Sequence, residues 1–172
     1  MKKIITILML MFLPVYALAA TKTVTPADVA KAEANGNFTI TSDTRHFNPI
    51  SGEYDLNGHV FVSLPTHGEQ LVIKADKAKV KLYSQEVNAN GHITLAFGKM
   101  SFRCDETHVV SKERTAYVKG NILFKHLKNQ IKADSAAYCW KTKLATFQNA
   151  SVNGKDLQNE VKYNIMTGTF VK

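Results

Sequence analysis

Three aspartates stand at equal intervals in this chain: 29 residues separate Asp76 from Asp105 and Asp105 from Asp134. A row of carboxylates at fixed spacing is one way to hold a divalent cation or to assemble an acid–base pair. His46, His59, His67, His92, His108, His126 and two cysteines, Cys104 and Cys139, complete the groups that could ligate or attack. No two histidines stand two or four residues apart, so neither a zinc site nor an imidazole base has a recognisable frame. No nucleophile elbow or phosphate loop accompanies them. The role of the aspartates therefore depends on the elements that carry them.

Each aspartate belongs to a copy of one short unit: Val72-Ile73-Lys74-Ala75-Asp76-Lys77-Ala78, Phe102-Arg103-Cys104-Asp105-Glu106-Thr107, and Gln130-Ile131-Lys132-Ala133-Asp134-Ser135-Ala136-Ala137-Tyr138. Weaker copies are Ile40-Thr41-Ser42-Asp43 and Val161-Lys162-Tyr163-Asn164. Five copies make an internal repeat. A second series alternates with it: Tyr54, Leu56, Val60, Val62 and Leu64; Val87, Ala89, Ile93, Leu95 and Phe97; Ala116, Val118, Ile122 and Phe124. Apolar residues at period two predict strands with one buried and one wet face. Each run is crossed by a glycine (Asn57-Gly58-His59, Asn90-Gly91-His92, Lys119-Gly120-Asn121) without a slip in parity. That predicts a bend within a continuous ladder rather than a hairpin reversal.

At the aspartates the parity does slip. Ile73 and Ala75 share one phase, and Ala78, Val80 and Leu82 take the other. A turn or bulge does this, with the aspartate bonding its own backbone. The acids are then corners rather than ligands, and no metal or cofactor is expected. Stacked units of roughly 30 residues predict a long curved antiparallel sheet, or two facing sheets, with apolar residues inside. A parallel β-helix is the neighbouring possibility, although its coils are usually built from shorter, more regular repeats.

Ahead of the repeats, Lys2 and Lys3, an apolar run from Ile4 to Leu13, Pro14 and Ala17-Leu18-Ala19 have the form of a secretory signal over residues 1–19, cleaved before Ala20. The apolar run is short for a bilayer span; an uncleaved inner-membrane anchor is the competing reading. Residues 20–36 form an N-terminal extension, in which Thr25-Pro26-Ala27-Asp28 starts a short helix and Asn35-Gly36 ends it. A single β domain is expected over 37–172. Without Lys2 and Lys3 the chain keeps 20 basic against 14 acidic residues, a net +6. A solvated surface and a footprint for an anionic partner both fit this balance. Export permits a disulfide, but strand register sets Cys104 and Cys139 on the order of 20 Å apart, which predicts two free, mostly buried thiols. Trp140 falls on the inner parity and is expected in the core.

Residues Ile40 to Phe170 resemble the OstA/LptA-like domain of lipopolysaccharide transport. The likeness rests on Ile73-Lys74-Ala75-Asp76-Lys77-Ala78, on Lys119-Gly120-Asn121-Ile122-Leu123-Phe124 and on Ile131-Lys132-Ala133-Asp134-Ser135-Ala136-Ala137-Tyr138. Leu144-Ala145-Thr146-Phe147 and Tyr163-Asn164-Ile165-Met166-Thr167-Gly168 extend it. Asn57-Gly58-His59 departs from it, since Gly-Asn is usual at that corner, and the helix at 25–35 matches no motif of the family. The resemblance implies an all-β, incomplete antiparallel β-jellyroll, open at both ends. It implies a non-enzymatic periplasmic carrier or bridge whose apolar groove shields the acyl chains of lipopolysaccharide or a similar anionic glycolipid. It also implies edge-strand docking, near 38–41 and 161–170, to an inner-membrane LptC-like and an outer-membrane LptD-like protein, or head to tail with further copies.

The inner parity gives the expected lipid-binding residues: Val60, Val62, Ile73, Val80, Leu82, Ile93, Leu95, Phe102, Ile122, Phe124, Ile131 and Tyr138. Two alternatives stand beside the carrier, a membrane-anchored LptC-like component and a structural β-repeat module with a packed core. Nucleic-acid binding is not expected, because Phe61, Tyr83, Tyr117 and Phe170 are scattered rather than set on one basic face.

Overall fold

In the computed structural model, the described residues are 39–66, 69–81, 83–84, 86–110, 112–155 and 157–171. The expected signal, the helix at 25–35 and Leu82 lie outside them. Eleven strands form one antiparallel sheet: β1 (Thr39–Thr41), β2 (Thr44–Asn48), β3 (Glu53–Thr66), β4 (Glu69–Lys81), β5 (Glu86–Phe97), β6 (Met100–Val110), β7 (Thr115–His126), β8 (Asn129–Cys139), β9 (Leu144–Val152), β10 (Gln158–Asn164) and β11 (Thr169–Val171). From β3 onward each strand pairs with the next, while β1 and β2 both lie along β3, the first at Phe61–Ser63 and the second at Glu53–Asn57. The antiparallel pairing excludes the β-helix.

The strands are long because the glycine corners do not end them. β3, β5 and β7 run straight through Gly58, Gly91 and Gly120, and the ladder breaks there only by a register shift. At each corner two successive residues take left-handed backbone: Gly58 and His59, Gly91 and His92, Gly120 and Asn121. Asp43, Asp76 and Asp105 face these pairs across the ladder. A Cβ on Gly91 would come within 2.2 Å of Asp76 Oδ2, and one on Gly58 within 2.0 Å of Asp43 Oδ2. Glycine is therefore required twice over, by its positive φ and by the carboxylate over it.

The acids do not bond their own backbone, as the sequence had suggested. Each reaches the neighbouring strand: Asp43 Oδ2 accepts from His59 Nδ1 at 2.8 Å and Asp76 Oδ2 from His92 Nδ1 at 2.8 Å. Asp105 Oδ2 accepts from Asn121 Nδ2 at 2.6 Å, and Asp134 Oδ2 from Asn149 Nδ2 at 3.1 Å. These side chains secure a backbone kink that recurs at one level across the sheet. With the ladders from β3 to β8 shifted in register at that level, the sheet folds over along a line.

The inner face is apolar on both sides of this line. Val109, Ile131, Trp140, Ala150 and Tyr163 are wholly buried, and Phe124 and Phe147 nearly so. The outer face carries the polar parity, as β5 shows by alternating buried Val87, Ala89, Ile93 and Leu95 with more exposed neighbours. Among the described residues no helix is long and apolar enough to cross a membrane.

Candidate functional site

The fold line brings two halves of the sheet face to face. From one side come Ile73, Ile93, Leu95, Phe102, Cys104 and Phe124; from the other come Thr107, Ala116, Val118, Ala136 and Tyr138. Phe147 and Ile165 close the remaining wall, leaving a slot of about 60 Å³. Phe124 stands at its centre, with ring centroids 6.4 Å from Phe102, 5.5 Å from Phe147 and 5.5 Å from Tyr163. Tyr163 belongs to β10, three strands away in the sheet from Phe124 on β7, so this contact exists only because the sheet curls. Its hydroxyl is tied down beside His126 Nδ1 at 3.1 Å and accepts from Asn129 Nδ2 at 3.4 Å.

Six of the twelve expected lining residues meet at the slot: Ile73, Ile93, Leu95, Phe102, Phe124 and Tyr138. Val60, Val62, Val80, Ile122 and Ile131 are buried in the same core but lie outside the slot wall. The parity rule found the inner face; it could not say which inner residues would be left facing a gap. Cys104, Thr107, Ala116, Val118, Ala136, Phe147 and Ile165 also line the slot and were not among the expected lining residues. Phe147 shares the buried parity of β9 with Ala145, two residues before it and separated by the polar Thr146, and that spacing is the signal that would have found it.

The polar chemistry near the slot is weak. Burial, with the neighbouring Asp105 charge, pushes the Cys104 thiol up to about 12, so it is a protonated apolar wall residue rather than a nucleophile. Burial likewise raises the Tyr138 phenol and lowers His126. Cys139 is only half-buried, contrary to the expectation of two mostly buried thiols, because it stands at the end of β8 beside a turn. Burial raises its thiol, but hydrogen bonds from Thr142 and Lys141 and the Lys141 charge outweigh this and bring it below the ordinary value. Both cysteines are free. Among the described residues no cluster of three or more His, Cys, Asp or Glu could hold a metal ion. Asp76, Asp105 and Asp134 each commit a carboxylate oxygen to a cross-strand hydrogen bond at a kink.

Both flanks of the sheet are open strands. On one side β1 and β2 have no further partner among the described residues. On the other, β11 covers only Lys162–Asn164, so the Gln158–Val161 part of β10 faces a trough of about 580 Å³ beside Phe170 and Val171. The expected docking segment at 161–170 spans the end of β10, the turn after it and the start of the outermost strand, Thr169–Val171.

No protein-family model and no curated protein matches the chain. Among solved structures it is similar in fold to the crystal structure of LptH from Pseudomonas aeruginosa, the LptA-homologous periplasmic component of the conserved lipopolysaccharide transport device. The TM-score is 0.57 at 8% identity, over 69% of this chain and 95% of that one. The sheet is therefore the LptA-like incomplete jellyroll that the resemblance implied, and the repeats predicted its long curved antiparallel form.

Proposed function

We propose that this chain is an OstA/LptA-like component of lipopolysaccharide transport, exported to the periplasm, carrying the acyl chains of lipopolysaccharide or a similar anionic glycolipid without chemistry. The observation that carries the reading is the slot: almost wholly apolar, lined from both halves of a folded sheet, in a fold shared with a transport component. An acyl chain with about a dozen methylenes carries roughly 10 kcal/mol of apolar burial, at ~0.8 kcal/mol each. Water cannot take such a chain at that cost. A dry wall of similar polarity makes transfer from a membrane nearly neutral, so a modest push suffices.

A slot of about 60 Å³ admits a few waters rather than a lipid. Loading therefore requires the two halves to part along the fold line, with the acyl chain replacing wall-to-wall contacts. The same narrowness favours the second reading, a packed β-repeat module that binds no lipid. Photo-crosslinking separates them: a photoreactive residue at Leu95 or Phe124 should give a lipopolysaccharide adduct in cells. Absence of adducts from both positions, with normal expression, would favour the packed module.

The open flanks suit partners that add strands. An unpaired edge normally invites aggregation, so a protein that keeps two is expected to use them. The proposed partners are an inner-membrane LptC-like and an outer-membrane LptD-like protein, or further copies joined head to tail. Retention of residues 1–19 in the mass of the purified protein would instead assign it to the membrane-anchored role.

A further inference from the structure

The outer face of the sheet carries a second concavity, on the opposite side from the slot. It is an open groove of about 470 Å³ crossing β5 to β9, within the usual range of roughly 300–1,000 Å³ for small-ligand sites. Two cross-strand rows build it. In the first, Asn88 pairs with His108, His108 with Tyr117, Tyr117 with Ala137 and Ala137 with Thr146. In the second, Asn90, Glu106, Lys119, Ser135 and Gln148 follow one another in the same way. Ala137 and Ser135 are the short side chains of β8 and form the floor, with taller side chains on the flanking strands.

The geometry points to a saccharide site. Tyr117, 44% exposed, presents an aromatic surface whose position is fixed: its ring stacks on His108 at 6.4 Å and 19°, and its hydroxyl donates to Glu113 at 3.0 Å. Sugar rings lay their C–H faces on such platforms, which pair an apolar body with a polar rim. Around the ring the groups are mainly neutral amides and hydroxyls, which both donate and accept, as a polyol requires. His108 Nδ1 donates to Asn88 Oδ1 at 2.6 Å, which leaves the Asn88 amide protons and His108 Nε2 to bond a ligand. Gln148 Nε2 donates to Glu160, which leaves its carbonyl oxygen as an acceptor. The two full charges, Glu106 and Lys119, are direct cross-strand partners and cancel. A phosphate would need a surplus of cations, and an acyl chain would need an apolar wall; the groove offers neither.

The groove is independent of the carrier reading, so either can fail alone. The test is a heteronuclear NMR titration of the isotopically labelled protein, as purified from cells, with two probes. One is chitotetraose, standing for cell-wall glycan. The other is lipid-free core oligosaccharide released from lipopolysaccharide by mild acid, standing for a glycolipid headgroup. Either probe should shift amides at 88–90, 117–119, 135–137 and 146–148 with a Kd of about 1 mM, and the probe that binds names the source. Tyr117→Ala should weaken binding about tenfold, and Ala137→Arg, which fills the floor, should abolish it. Ser135→Trp replaces the second variant if Ala137→Arg loses its dispersed spectrum. No shift with either probe at about 10 mM overturns the site, as do shifts that survive a filled floor or that inorganic phosphate alone reproduces.

Discussion

Phe124→Ala tests the slot where its walls meet. The ring is 1% exposed and touches Phe102, Phe147 and Tyr163, so its loss removes the keystone of the inner aromatic cluster. Truncating a buried phenylalanine costs about 3–5 kcal/mol, against a total stability of roughly 5–15 kcal/mol for a domain. The variant should therefore fold, with a much lower denaturant midpoint. A packed module and a carrier suffer this loss equally; they part when an amphiphile is added. In a carrier the emptied ring site widens a slot already lined with apolar side chains, and the chain of monomeric dodecylphosphocholine can fill it. Ligand at a hundred times its Kd returns about 2.7 kcal/mol, most of the deficit. The wild-type slot of about 60 Å³ must first part its walls, so its stabilisation should be smaller. Urea unfolding of both proteins, with and without amphiphile below its micelle concentration, gives the answer. If the amphiphile moves neither midpoint, the carrier reading fails; equal shifts in both proteins would place binding away from Phe124.

Three further outcomes follow from the described contacts. Gly91→Ala should cost about 1–2 kcal/mol for left-handed backbone, and more because Asp76 must leave. In an Asp76→Ala background only the backbone part should remain, and equal costs in the two backgrounds would remove Asp76 from over Gly91. Near pH 8, Cys139 should react with a charged thiol reagent at least ~10-fold faster than Cys104, because the Cys104 thiol is pushed up to about 12; comparable mass-labelling rates would contradict the burial of Cys104. Burial lowers the pKa of His126, so its contribution is present above the unfolded value of 6.5 and lost as pH falls through the lower folded value. Asp76 raises the pKa of His92, so its contribution is present below 6.5 and lost as pH rises through the higher folded value. His126→Gln should flatten the stability profile below pH 6.5 and His92→Gln the profile above it; unchanged profiles would refute both assignments.

Much of this fold was legible because strand physics writes itself into parity. Val87, Ala89, Ile93 and Leu95 keep one phase through Gly91, and that continuity marked a kinked strand rather than a turn. The slip at Asp76 marked the complementary bulge. The partner of each aspartate was not legible, since Asp76 and His92 lie sixteen residues apart and meet only when β4 and β5 pair. Nor could sequence separate Phe124, which lines the slot, from its cross-strand partner Ile131, which does not: both are inward and apolar, and the gap depends on how far the halves close. Tyr163 was visible as a motif residue, but its place against Phe124 required the curl of the whole sheet.

The repeat gives that curl a local cause. A bulge on one strand would only twist its neighbours, but a bulge at the same level on successive strands adds one bend to the next along a line. Asp43–His59, Asp76–His92, Asp105–Asn121 and Asp134–Asn149 secure the bend from strand to strand. The contacts are exposed and polar, outside the apolar interior they create, so an apolar ligand does not compete with them. In the proposed carrier, parting the halves would change the angle at the kinks and leave the ladders on either side intact. For the proposed carrier, an interior held shut by its own side chains, on a hinge made of surface hydrogen bonds, would exchange those side chains for lipid without unfolding. In the proposed carrier the spaced aspartates would set this hinge, although none of them lines the slot.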